Sequence, residues 1–508
     1  MLLALLLALA LTDAPPAAGQ DADAAEAPAA DPAPEPVAPP PAVVLVLPFA
    51  LEGKAPAFRG VAVAEVLIDE LAQASRDSFY TLLQLEAVLR RRDLPIDDAR
   101  VPALGPELAG LLGASDVLTG TVKSVGDRIE IDATRTRAGQ PALQAHLEGA
   151  SAALPVLGRQ VLQKLMGVSS RLPPMARSAQ ALELGAECAA LAGAQPLGPR
   201  GRAFSLPAPQ VAQLDQTCRA ALELDPALGL ARAGVSIAAS LRGGGPPAAV
   251  QLGRFVPLQA LAGQFAARRS GRPAVARSLL QDVVAAHPGF LQALGYLGEE
   301  RLEARDDQAA LVAFDAYLSR APGQPWAMAQ KAHALSRLGR KEEAIALTRA
   351  ALARAPGDPE LTIELASRLI DGGNDAGAEP LLRAALSASP PRPLAALRLG
   401  YLSLRRKQAD EAARLFQLAA DTARRPDEAG ARAIAHADLA RVAASRNDVP
   451  GTLRELATAR AEGLTRMPCA EPDFQRLKAK PGMAQACAAP PQASAVATES
   501  DMSVPVDL

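Results

Sequence analysis

Aromatic residues are scarce in this chain of 508 residues: they make up 3%, with a single Trp among them. Proteins that bind single-stranded nucleic acid stack bases on surface rings, so this scarcity argues against that class. Charge of one sign is also missing. There are 53 basic and 55 acidic residues, for a net charge of −2. Such a balance gives no whole-molecule field to steer nucleic acid or an anionic membrane. The one basic run, Arg90-Arg91-Arg92, reads as the solvated end of a helix. Catalytic motifs are absent: there is no phosphate loop, no GxSxG and no HExxH. The four histidines, His146, His287, His333 and His436, form no ligand cluster along the sequence. No catalytic residue, metal site or cofactor is therefore expected. No stretch reaches the roughly 20 apolar residues that span a bilayer.

What is present begins with Leu2 to Leu11, a short run of Leu and Ala followed by small residues and prolines. This fits the apolar core of a signal peptide over residues 1–19, with Ala17-Ala18-Gly19 as the cleavage region. No Lys or Arg precedes Leu2, and no Cys follows the run to carry a lipid. Residues 20–42 are rich in Ala, Pro, Asp and Glu, a composition too polar and too proline-rich to order itself, so they read as a linker.

Residues 43–170 read as an α/β domain with a mixed sheet. Val43 to Leu47 is a buried-strand run stopped by Pro48. Val61 to Ala74 has helical spacing, and Phe79 to Leu83 reads as a strand. Short helices follow at Leu85 to Arg91 and Pro106 to Leu112. Asp116 to Val125 and Arg128 to Arg137 are strands around Gly126-Asp127. In the second, Ile129, Ile131 and Ala133 alternate with polar residues, as a half-buried strand requires. Leu143 to Glu148 is the next strand, and Leu154 to Met166 a closing helix. Through Pro48-Phe49, Gly113-Ala114, Gly120 and Gly126-Asp127, the segment resembles the amino-terminal domain of TolB and related curli-secretion and FlgO-type envelope domains. That resemblance implies a periplasmic interaction domain without catalytic residues.

The strongest signal lies in residues 178–460. Ala276, Ala310, Ala344, Ala378 and Ala412 are each 34 apart, and so are Pro288, Pro322, Pro356 and Pro390. A fixed period of this length marks a repeated helical hairpin. Leu294-x2-Leu297-Gly298, Ala310-x3-Phe314 and Pro322 form one unit, and Leu399-Gly400 with Ala412-x3-Phe416 belong to another. The array resembles the tetratricopeptide repeat family, which implies an all-α superhelical solenoid. Small residues are needed where the two helices touch, while Phe314, Leu382 and Phe416 fill the space between hairpins. One hairpin cannot bury its apolar face alone, so several must stack. Five units are clear between about 257 and 426, and a sixth runs from 433 to 460. Upstream, a looser unit is split by a Gly/Pro-rich loop at 192–208, and a further pair lies at 227–256.

Residues 461–487 resemble the cap that ends such arrays, and 488–508 read as a disordered tail. Cys188, Cys218, Cys469 and Cys487 fall into two local pairs without metal spacing. In an oxidising compartment they can form two disulfides; the alternative is four buried thiols. In the repeat register the first pair would clamp the irregular unit, and the second would bracket the cap.

In this family the first helix of each hairpin lines the inner groove. The resemblance places Trp326, His333, Arg337, Leu397, Tyr401 and Arg405 there. Trp, Tyr and Arg dominate binding energy at interfaces. The bland reading is that Trp326 and Tyr401 fill space between hairpins. The leading expectation is a non-enzymatic, periplasmic or secreted scaffold of the bacterial envelope. It would bind a protein or peptide, not nucleic acid, and approach membranes only through envelope partners. Two alternatives are a cytoplasmic signalling adaptor and an enzyme with a site at the domain junction.

Overall fold

A computed structural model describes residues 42–90, 92, 94–193, 208–243, 254–388, 391–424, 428–462, 464 and 467–487. The expected signal peptide, the linker up to residue 41, most of the 192–208 loop and the tail from 488 lie outside the described residues.

The chain enters as β1 (Val43–Val46), whose four residues are all buried. Pro48 has no amide hydrogen to donate to a ladder, and β1 ends before it. A short β2 (Ala50–Glu52), which periodicity did not predict, pairs parallel with residues 121–123 much further along the chain. Helix α1 (Arg59–Ala74) follows, then β3 (Ser78–Phe79), α2 (Leu82–Arg90) and α3 (Gly105–Leu112). The expected strand at 79–83 is thus only two residues, and α2 takes over at Leu82. The strands β4 (Asp116–Val125), β5 (Arg128–Arg137) and β6 (Leu143–Ala150) form a meander, and α4 (Leu154–Met166) closes the domain. Gly126 holds φ +60° at the first position of the β4–β5 turn, a conformation a side chain would strain. The sheet order is β3-β1-β4-β5-β6. The β3, β1 and β4 strands run parallel, and the meander is antiparallel.

The Pro48-Phe49 and Gly120 positions are explained by one contact. The Phe49 ring lies on Gly120, where a Cβ would stand 2.4 Å from it, and the Phe49 carbonyl presses on Gly60, where a Cβ would stand 1.9 Å away.

The array begins with α5 (Ala179–Gly193), α6 (Ala208–Leu224) and α7 (Gly229–Leu241). Regular hairpins follow: α8 (Pro257–Arg269) with α9 (Pro273–Ala286), α10 (Leu291–Glu303) with α11 (Asp307–Arg320), and α12 (Pro325–Arg337) with α13 (Lys341–Arg354). Next come α14 (Pro359–Asp371) with α15 (Asp375–Leu386), α16 (Pro393–Arg405) with α17 (Ala409–Thr422), and α18 (Ala429–Ser445) with α19 (Val449–Ala461). Two short helices end the described chain, α20 (Pro472–Leu477) and α21 (Met483–Cys487). Of the pair expected at 227–256, α7 is the described member. The expected contacts between small and large residues are present: a Cβ on Gly298 would stand 2.5 Å from Phe314, and one on Gly400 would stand 2.4 Å from Phe416.

The α/β domain and the first half of the array are not separate bodies. One hydrophobic core runs from Val43 through the sheet, α1 and α5 to Tyr317 and Ala327. The Pro288-Gly289-Phe290 turn adds a parallel bridge to β3, with the Phe79 amide donating to the Gly289 carbonyl at 3.2 Å. Thr81 donates to Gln292 at 2.6 Å, and the Tyr80 and Tyr317 hydroxyls meet. Arg59 on α1 pairs with Glu183 on α5 at 2.6 Å. Arg254, just before α8, grips Asp69 on α1.

Candidate functional site

Two places gather chemistry: the face lined by the first helices of the hairpins, and the carboxyl end of β1.

On the first-helix face the residues singled out from the sequence divide by role. Trp326 is half-buried. Its ring sits 6.1 Å from that of Phe314 and 5.9 Å from that of Tyr317, with Gly295 leaving room for it. Leu397 is buried in the cluster around Phe416. The Tyr401 ring packs edge-on against Phe416 at 5.6 Å. Arg337 donates to the Leu302 carbonyl at the end of α10 and pairs with Asp307 in the first turn of α11, both at 2.9 Å. Arg405 pairs with Asp375 in the first turn of α15 at 3.0 Å. The two arginines are one device used twice, tying a first helix to the hairpin before it. His333 is half-buried on the same face.

The sequence reading missed a polar strip beside Tyr401. Arg398 lies one turn before it, and burial lowers the guanidinium's affinity for its proton. Asp438 on α18 faces Tyr401, and burial pushes its carboxyl up to about 6, against the pull of Arg441. Arg441 donates to Asp438 at 2.6 Å, and its fork closes on Glu471 at 2.5 and 2.6 Å. The spacing Asp438-x2-Arg441 was the available signal, since residues three apart share a helix face.

At the carboxyl end of β1 the strand order turns, with β3 on one side and β4 on the other, the position where open α/β sheets bind ligands. About 400 Å³ of open space lies there, lined by Phe49, Leu51, Gly60, Val61, Asp97 and Pro102. A second, much smaller gap lies between α1, α2 and α5, with Glu65 and Glu86 among apolar side chains. Burial, with Asp69 nearby, pushes the Glu65 carboxyl up to about 8. Helix α5 closes this side with Ala189 and Ala190. Among the described residues no three His, Cys, Asp or Glu side chains come together as a metal site.

All four cysteines are paired, Cys188 with Cys218 and Cys469 with Cys487. No described helix is long and apolar enough to cross a membrane.

This geometry is an α/β domain fused to an all-α solenoid of tetratricopeptide-type hairpins. The profile of the family described as tetratricopeptide repeat matches residues 325–368, the α12–α13 hairpin and most of α14. No curated protein matches the chain. Solved structures similar to it include a thermophilic TPR protein of Thermus thermophilus. It is 21% identical, with 35% of this chain and 98% of that one covered and a TM-score of 0.31. PilW, a widely conserved type IV pilus biogenesis factor, is 18% identical, with 42% and 94% covered and a TM-score of 0.34. PilF of Pseudomonas aeruginosa is 15% identical, with 43% and 94% covered and a TM-score of 0.32. These are likenesses of fold.

Proposed function

We propose that the chain is an exported, non-enzymatic scaffold of the bacterial cell envelope that recruits a protein or peptide through the first-helix face of its array. The observation that carries this reading is the division of the array. Its first half shares a core with the α/β domain. The second half, α14 to α19, takes no part in that core: α14 packs back on α12 and α13, and the rest pack on one another and on the short end helices, so their first-helix face is the one available to a partner. Arg398, Tyr401 and Arg405, all on α16, are the residues through which it would be read. The α/β domain, read as TolB-like, then serves as a rigid base rather than a second arm. Two disulfides support an oxidising compartment, and with it a periplasmic or secreted location.

The test has two parts. The intact mass from native cells should lack about 19 residues if the signal is cleaved; a full-length mass overturns the export reading. A photo-crosslinking residue at Arg405 should trap a partner that the same residue at the outward Val312 does not. Equal trapping at both places overturns the groove reading.

A further inference from the structure

Both ends of the array are covered, but by different means. At the amino-terminal end, α5 lies in a core continuous with the sheet. At the other end the cover is small. Phe474 and Leu477 of α20, with Met483 of α21, lie over Ala440, Ala444 and Leu456 of the last hairpin. Helices of six and five residues do not persist by themselves in water. The cap is held by this apolar contact, by the Arg441–Glu471 fork and by the Cys469–Cys487 bond that spans it.

The two disulfides differ in access. Cys188 and Cys218 are fully buried, with Gly234 packed against both sulfurs. Cys469 and Cys487 are both partly exposed. Exchange requires a thiolate to reach a sulfur, so the outer bond is open to it and the inner one is closed.

We propose that Cys469–Cys487 is a redox latch. Its reduction frees the cap of residues 467–487 and uncovers the apolar end of α18 and α19, which then pairs with the same surface of a second copy. The reductant is a dithiol. One of its thiolates attacks a cysteine sulfur to give a mixed disulfide, and its second thiol displaces that cysteine. The protein gains two electrons and two protons as two thiols, and the dithiol leaves as a disulfide. The occupant follows from the fold. An uncovered hairpin end presents the kind of face that internal hairpins bury against each other. The amino-terminal end of any copy is closed by the α/β core, so the complement available is the released end of another copy. Such a contact is two-fold and closes on itself.

The experiment treats the full folded chain with dithiothreitol at neutral pH, then alkylates it and maps the modified cysteines. Modification of Cys469 and Cys487 with Cys188 and Cys218 spared is expected. It should come with faster hydrogen exchange over 467–487 and a doubled mass by light scattering. The Cys469→Ser/Cys487→Ser chain should dimerise without reductant. Leu453→Arg, placed where Leu453 meets Gly482 of the cap, should keep the reduced chain monomeric. Labelled thiols beneath a cap that stays protected overturn the latch. A reduced chain that stays monomeric at every concentration overturns the pairing, and equal alkylation of all four cysteines overturns the difference in access.

Discussion

Glu65 shows how a single side chain sets a pH dependence. Its carboxyl stands at about 8 in the folded chain against an ordinary 4.5, mainly because burial disfavours the charge. The folded state therefore binds a proton that the unfolded chain has released between those values, and stability falls as pH rises through that window. Glu65→Gln keeps the shape and removes the titration. The variant should be more stable than the parent by about 4 kcal/mol at pH 8 and equal to it near pH 4. Urea titrations at the two pH values check this, and a parallel shift at both would show that burial of charge is not the cause. Gly234 is constrained sterically instead. A Cβ there would stand 2.3 Å from the Cys188 sulfur and 2.4 Å from that of Cys218. Gly234→Ala should cost about 1–3 kcal/mol, the range for overpacking a closed core, read as a lowered thermal midpoint. These two effects were invisible in the sequence, because each depends on which helices meet.

At the scale of the hairpin, the turn between the two helices repeats one backbone conformation. Gly271, Arg305, Gly339, Gly373 and Lys407 all have positive φ and recur every 34 residues. The three glycines occupy it freely, whereas Arg305 and Lys407 carry a Cβ strained in this region. Lys407→Gly should therefore stabilise the array by about 1 kcal/mol, seen as a higher denaturant midpoint; a lower midpoint would mean that gained chain entropy outweighs relieved strain. Helix starts depend on side chains as well. Asn374 accepts the Gly377 amide at the head of α15 at 2.9 Å. Asn374→Ala should cost about 1 kcal/mol, measurable by the same titration. The period, the small residues at helix contacts and the large ones between hairpins were legible from one sequence, since each hairpin repeats the same local demand. The pairing of Arg337 with Asp307 and of Arg405 with Asp375 was not. It joins neighbouring units, and the sequence marks each arginine only as a cation on the lining helix.

Across the whole molecule, the α/β domain and the first hairpins fold as one. A fragment covering residues 43–170 exposes the core shared with α5 and leaves the β3 edge without its Phe290 partner. It should give weak tertiary signals and bind a hydrophobic dye, while the full chain should show the sheet and the first hairpins melting together. Circular dichroism and amide exchange on both chains decide this, and a fragment with a cooperative transition of its own would refute it. The sequence by itself determined the elements: a strand before Pro48, the β4–β5 hairpin at Gly126, and the helical hairpins of the 34-residue period. These follow from local rules of periodicity, turn chemistry and packing between adjacent helices. Only the tertiary structure decided what the elements close against. The Pro-Gly turns show the difference. At Gly323 and Gly357 glycine serves a positive φ. At Gly289 it serves instead to let the chain lie on β3, where a Cβ would stand 2.5 Å from the Asp77 carbonyl. The same two letters recur because the local turn recurs. Their different uses are fixed by a strand more than two hundred residues away in the chain, and no local pattern carries that information.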